Sequence, residues 1–523
     1  MTAFPARIPA ADRRSSSLGV AAAALAVAAT FGIRTLGWSG TDLAAQVYRV
    51  GLFKAHGWIP YDLGWYGGHS LLSYSTLFPP LARTIGMYGA AACSAAVATL
   101  CFARLTRDRF GDAGRAGVVV FALGTVVPVA IGQLPFLLAE ALGLAALVAA
   151  ERRSRSLALT LAVACGLSNA VAAAFLAMAA VAWAITEART RVLRAAIALA
   201  ALAPSLVLAA AFSTPGRFPF PGSQLIDILI VCGVGLIALP ARERTIRWGL
   251  AAYAAAAIVA FVIPNPMGGN MGRLATTFGP ALAMMAAWHG RQLLLAGLAI
   301  FLVGWQWAPL TSIASRGPVL SSRESYYTPL LAQLADQPVS GRVEVPPMQG
   351  HWEAAYVAPA VPLARGWERQ IDIAHNPLFY VDDAIDPAVY QRWLHDNGVT
   401  WVAVADAPLD RSAQAEAALI RTGLPYLQLA WHDPHWSLWR VTGATGLLSG
   451  AARLVSMGPD RVHLNVSEAG PITLRVRYTA RWAVKHGNAC VGPTPDGWTR
   501  LVVRAPGVVD LGLSLMPAST PRC

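Results

Sequence analysis

At 523 residues the chain is long for one globular core, and 55% of it is hydrophobic against 13% charged, which excludes an ordinary soluble enzyme and points to a polytopic membrane protein. The net charge of +13 comes almost wholly from arginine, Lys54 and Lys485 being the two lysines. Those arginines sit in short segments between apolar runs rather than on one basic face, which excludes nucleic acid as a partner.

Residues 1–17 carry Arg7, Arg13 and Arg14 and are expected as a disordered cytoplasmic tail. The apolar run 18–33 contains Ala26-Val27-Ala28, a small-residue pattern that suits signal-peptide cleavage, but the many runs that follow favour a retained first helix. Next comes 38–80, a loop far too polar to cross a bilayer. Ser39 and Thr41 are capping residues for a helix ending at Gly57, with Asp42, Gln46 and Arg49 on one face and Leu43, Val47 and Val50 on another. Such a helix is expected along the membrane surface. Behind it lie Tyr61, Asp62, Trp65, Tyr66, the glycine pair 67–68 and His69; paired glycines allow close backbone approach, and the aromatic residues suit the bilayer interface or a sugar ring. Asp42 reads either as a first-turn carboxylate favoured by the helix dipole or as a chemical group.

Further apolar runs at 85–103, 116–131, 134–150, 157–169, 171–186, 193–212, 224–239, 248–263, 273–288 and 292–309 bring the number of spans to about eleven. Gly166, Ser168 and Asn169 interrupt 156–185 and predict a tight hairpin there. With the N-terminus inside and that hairpin counted as two spans, cytoplasmic loops collect Arg104, Arg107, Arg109 and Arg115, then Arg152, Arg153 and Arg155, then Arg189, Arg191 and Arg194, then Arg242, Arg244 and Arg247, then Arg291. The odd number of spans places everything after Pro309 outside. The same outer side gathers the irregular segments 133–136, 168–169, 213–224 and 264–273, expected to ring an outward-facing chamber with the 38–80 loop. Glu140, about two turns inside its helix, reads as an intramembrane functional carboxylate or as one bonded to a neighbouring helix.

From Pro318 the composition becomes that of a soluble domain. Strands at 341–346 and 399–405 with a helix at 387–397 between them predict an outer α/β region over 311–445, with a hairpin at 427–441. Short alternating strands at 461–466, 472–478 and 498–503 predict a small β-sandwich or barrel over 446–523. Cys490 and Cys523 lie in this tail and can pair if it is outside the cytoplasm. The other four cysteines lie in apolar runs and read as small hydrophobes.

Acyl-hydrolase and phosphate-loop motifs do not occur, and His432-x-x-His435 has no second ligand pair at zinc spacing. Two clusters remain. Trp352 and Glu353, followed by Arg365, Trp367, Arg369 and Asp372, combine stacking rings with bidentate partners, as a sugar or anionic headgroup requires, or else form a folded salt-bridge network. Asn270 and Arg273 at the outer mouth of a helix suit a lipid phosphate, or simply anchor the helix at the interface.

A multi-span bundle with an acidic residue soon after the first helix, a long outer first loop and a C-terminal outer domain resembles the GT-C class of membrane glycosyltransferases. The stretches GTDLAAQVYR, YDLGWYGGH, GQLPF, NPMGGNMGRL and RGWERQ resemble uncharacterised actinobacterial multi-span proteins, some labelled as major-facilitator-type transporters. The GT-C resemblance implies a polyprenyl-phosphate-linked sugar donor, a cell-envelope glycan or lipid acceptor on the outer face, and Asp42 as the catalytic carboxylate. Substrate binding would then fall to Gln46, Arg49, Asp62, Tyr66, His69, Asn270 and Arg273 with the Trp352–Asp372 cluster. Many members show two adjacent acidic residues where this chain has Thr41-Asp42, so no motif supports a divalent cation and the cofactor is unknown. A secondary transporter and a non-catalytic lipid-binding or envelope-assembly protein are the alternatives; matched halves with interrupted helices, the usual mark of transporters, are not found.

Overall fold

The structure, a computed structural model, describes residues 10–110, 114–287, 291–337, 340–518 and 523. The chain forms two compact units that do not follow chain order: 1–43, 74–211 and 217–318 make one, and 44–73, 212–216 and 319–523 the other. The first-loop segment 44–73 therefore folds with the C-terminal half, across the division expected at residue 310.

The first unit is helical. Each of the eleven apolar runs forms a helix: Ala10–Leu36, Met87–Phe110, Gly114–Gly124 continued by Val126–Ile131, Leu134–Glu151, Arg155–Ser168, Ala170–Thr186, Arg191–Ala211, Gly222–Ala238, Arg244–Val262, Gly272–Ala287 and Gln292–Arg316. Among the described residues seven stretches are long and apolar enough to cross a membrane, and 155–168, 170–186 and 222–238 are apolar but shorter. Residues 10–17 belong to the first helix and are not a disordered start; residues 1–9 of the expected tail lie outside the described residues. The hairpin at 168–169 forms because the Asn169 side chain accepts hydrogen bonds from the Val171 and Ala172 amides, capping the helix that follows. Leu134–Glu151 is apolar on every side and buries most of its surface, whereas peripheral helices turn Leu199, Leu206, Val262 and Ile300 outward, as a lipid surround requires.

The second unit holds three four-stranded sheets. In the first, Arg342–Glu344 pairs parallel with Val399–Ala405, which pairs antiparallel with Trp436–Val441 and that with Leu427–His432. The parallel pair needs a crossover, supplied in part by the helix Pro387–Asp396, whose Val389 amide is capped by Asp386 at 2.7 Å. Tyr390, Leu394, Val399, Val402, Ala417 and Ile420 form the core between sheet and helices.

The other two sheets are a β-sandwich. One runs Ala489–Pro493, Trp498–Val503, Gly470–Arg477, Leu448–Ser449; the other runs Trp482–His486, Gly507–Leu513, Arg461–Val466, Ala452–Met457. Period-two alternation turns Val462, Leu464 and Val466 of one sheet and Ile472, Leu474 and Val476 of the other into a shared core. Tyr61 and Leu63 of the first loop join that core. A disulfide links Cys490 to Cys523, closing a separation of 33 residues. By loop-closure entropy it is worth about 4 kcal/mol. Cys523→Ser is expected to lower the denaturation midpoint of this unit correspondingly, and an unchanged midpoint in non-reducing buffer would show that the link contributes nothing.

Candidate functional site

In the helical unit Asp42 and Arg273 meet, from segments more than two hundred residues apart. Asp42 ends a turn just before the helix Leu43–His56 rather than lying on that helix, so it does not share a helical face with Gln46 and Arg49. The turn is fixed by its backbone: the Gly40 amide donates to the Ala130 carbonyl at 2.8 Å and the Asp42 amide to Ile131 at 3.0 Å. Gly132, at φ 95°, allows the close approach, since a Cβ there would lie 2.2 Å from the Leu43 nitrogen. Arg273 is placed by the 265–272 segment. Asn265 Oδ1 accepts from the Met267 and Gly268 amides, the Gly269 amide donates to Pro219, and Gln224 Nε2 donates to the Gly269 carbonyl. From the start of Gly272–Ala287 the Arg273 guanidinium reaches over the Phe136 ring at 5.3 Å, with Nη2 3.9 Å from Asp42 Oδ2. Both side chains are partly open, 17% exposed for Asp42 and 23% for Arg273. Asn270 packs half-buried in the turn leading to Arg273.

Phe136 also lines a cavity of about 350 Å³ inside the same unit. Phe136, Glu140, Gly143, Leu144 and Leu147 contribute one face of their helix, opposite residues of 170–186, 244–262 and 272–287. Glu140 is 5% exposed, and neither of its carboxyl oxygens has a hydrogen-bond partner. Of its two readings, the neighbouring-helix bond is not made.

The remaining first-loop residues are placed in the second unit. Gln46 is buried on the Leu43–His56 helix, and Arg49 pairs with Glu368 and donates to the Leu71 carbonyl at 3.4 Å. With Ala44, Ala45, Tyr48 and Val50 also buried, this helix is packed inside protein instead of lying bare along a membrane surface. Asp62 is fully buried and accepts from Tyr48 Oη at 2.7 Å and the Gly64 amide at 3.0 Å. Burial lifts its carboxyl to about 6 although both hydrogen bonds pull it down. His69 stacks on Trp65 at 5.2 Å, 3.9 Å from Asp62 and 4.0 Å from Glu368; burial, helped by the Arg49 charge, lowers its imidazole to about 3, so it is neutral. Tyr66, at φ 57°, donates to the Glu368 carbonyl at 3.1 Å. Trp65 and Tyr66 are fully buried, so they serve neither a bilayer interface nor a free sugar ring.

The Trp352–Asp372 cluster divides. Arg365 donates to Asp372 at 2.7 Å, Glu416 at 3.0 Å and Ser412 at 3.1 Å, and all four side chains are buried. Trp352 stacks on Tyr356, and Trp367 is half-buried. Arg369 is the exposed member and pairs with Asp410 at 2.7 Å. The partners Tyr48, Glu344 and Glu416 carry no signal in the sequence, since each acts on a residue distant along the chain.

Glu353 lies 3.4 Å from His351 Nδ1, and Asp410 lies 3.7 Å from Nε2. Burial pulls the His351 imidazole down, but the two carboxylates outweigh it and lift it to about 9. A histidine that binds its proton more tightly when folded stabilises the fold fully below pH 6.5, and that stabilisation is lost as pH rises through about 9. A shift of that size corresponds to roughly 3 kcal/mol. Hydrogen exchange of 353–356 is expected to quicken between pH 6.5 and 9 beyond the intrinsic rate, and His351→Gln to remove that excess; a pH-independent excess would refute the pairing.

No family model matches the chain, and no curated protein does. Among solved structures, arabinofuranosyltransferase AftD from mycobacteria, determined by single-particle cryo-EM, aligns at a TM-score of 0.46 with 16% identity, over 88% of this chain and 43% of that one. The chain thus spans less than half the length of that protein.

Proposed function

We propose that the protein is a membrane glycosyltransferase that moves a sugar from a polyprenyl-phosphate-linked donor to a cell-envelope acceptor on the outer face of the membrane. The observation that carries this reading is the Asp42–Arg273 pair, a carboxylate and a guanidinium both partly open, beside a ring that also walls an apolar cavity. Asp42 takes the proton of the acceptor hydroxyl as its oxygen attacks the anomeric carbon. The bond from that carbon to the lipid phosphate oxygen breaks, and the phosphate leaves with the electron pair. Arg273 neutralises the departing phosphate, aided by the positive N-terminal ends of Leu134–Glu151 and Gly272–Ala287, from whose first turns Phe136 and Arg273 project. Asn265, whose side chain accepts from the Met267 and Gly268 amides, holds the turn that aims Arg273.

The outer-face assignment is supported by the arginine distribution of the loops and by the Cys490–Cys523 disulfide, which belongs to an oxidising compartment. We assign Arg49, Asp62, Tyr66, His69, Arg365 and Asp372 to holding the second unit together.

Purified protein in liposomes, offered a panel of radiolabelled polyprenyl-phosphate sugars, is expected to consume one of them. Arg273→Gln should slow that consumption about 10²–10³-fold. Undiminished consumption by the variant would remove Arg273 from the chemistry, and solute flux without consumption would replace the reading by transport.

A further inference from the structure

Glu140 is not used by the transfer chemistry, and its setting asks for a ligand. We propose that the cavity beside it binds a single-chain lipophilic cation, with the ligand's ammonium group paired to the Glu140 carboxylate and its hydrocarbon chain laid along the aromatic wall.

Two observations point the same way. Both Glu140 oxygens are buried without a partner, in an environment where an unpaired carboxylate costs several kcal/mol. The wall around it is apolar and rich in rings, including Phe102, Phe136, Phe175, Phe278 and Tyr253, whose faces attract a cation and repel an anion.

Among the described residues no cation bonds Glu140: Arg273, over the Phe136 ring, faces Asp42 instead. Arg109 also lines the cavity, but at the opposite end of the bundle from Phe136, and it is held by Glu243 at 2.6 Å. A neutral chain would leave Glu140 unpaired, and an anionic one would be repelled by it.

Size and shape favour a chain over a compact ring. The cavity volume is about 350 Å³, at the small end of ligand pockets. Along the Leu134–Glu151 helix it runs from Phe136 to Leu147, roughly 16 Å at the helical rise. Entry is from the side: Ala179 on the rim is exposed, and Trp183 and Ile246 near it are half-buried, so the opening lies on surface that lipid would cover. This inference is independent of the transferase reading and stands if that reading fails.

The test is photolabelling of the full chain in lipid nanodiscs with a dodecylamine bearing a diazirine at its chain end, against the dodecanol analogue. The amine is expected to label 134–151 and 170–186 saturably, with labelling about tenfold or more lower in Glu140→Gln, while the alcohol labels them weakly in both proteins. Equal labelling by amine and alcohol, or amine labelling undiminished in Glu140→Gln, would overturn the proposal. Should Glu140→Gln fail to elute as folded protein, Ala179→Trp at the rim decides: blocked labelling supports the site, and unchanged labelling refutes it.

Discussion

Asp42→Asn is expected to cut sugar transfer about 10²–10⁴-fold while the protein remains folded in the membrane. A positioned general base contributes roughly 10²–10⁴ in rate, and an amide of the same shape cannot accept the acceptor's proton. The substitution keeps the contacts that hold the turn, because they are made by backbone: the Gly40 and Asp42 amides still donate to Ala130 and Ile131. What it loses structurally is a 3.9 Å ion pair between partly open side chains, worth at most ~1 kcal/mol. Donor affinity should be kept or improve, since a carboxylate no longer faces the lipid phosphate across from Arg273. The signature is therefore a collapse in kcat with KM unchanged or lower, measured as initial rate against donor concentration in liposomes. Asp42→Asn with wild-type kcat would take this carboxylate out of the mechanism.

Much of this arrangement is legible in the sequence because it is local. Apolar runs become helices, even through Pro204, Pro280 and Pro309, Asn169 announces its hairpin through capping chemistry, and alternation at 461–466 and 472–478 marks the sandwich faces. The Asp42–Arg273 meeting follows from loops expected on one side of the bundle. What could not be read is long-range. Arg49 finds Glu368 across 319 residues, and Arg477 donates to the Tyr66 carbonyl across 411, so nothing near the YDLGWYGGH stretch says that it will be buried in the C-terminal unit. Gly366 packs against the Trp65 ring so closely that a Cβ would lie 2.6 Å from it. Arginine beside tryptophan and carboxylates looks the same in sequence whether it faces a sugar or its own fold, and only the partners Glu416, Ser412 and Glu368 decide.

That decision makes Arg365 the most consequential structural residue of the second unit. Arg365→Met is expected to destabilise the unit by about 3–5 kcal/mol, because it leaves buried carboxylates without their cation. Asp372 would keep its hydrogen bonds from Asn376 and Tyr380, both at 2.7 Å, and Glu416 that from Tyr390 at 2.9 Å, but none of these donors carries charge. Glu344 makes matters worse. It is fully buried beside Glu416, its carboxyl held well above the usual range by burial and then by the Glu416 charge, and loss of the guanidinium removes a charge that counters both. Arg365→Lys should rescue only part of the loss, since one ammonium cannot match a fork that bonds Asp372, Glu416 and Ser412 at once. Arg369→Ala is the control: its pair with Asp410 is 43% exposed on the arginine side and should cost no more than ~1 kcal/mol. Pulse proteolysis of the full chain in urea, following cleavage within 342–441, separates the three variants. Equal midpoints for Arg365→Met and Arg369→Ala would mean that the buried cluster contributes no more than a surface pair, and that Arg365 is free for a ligand after all.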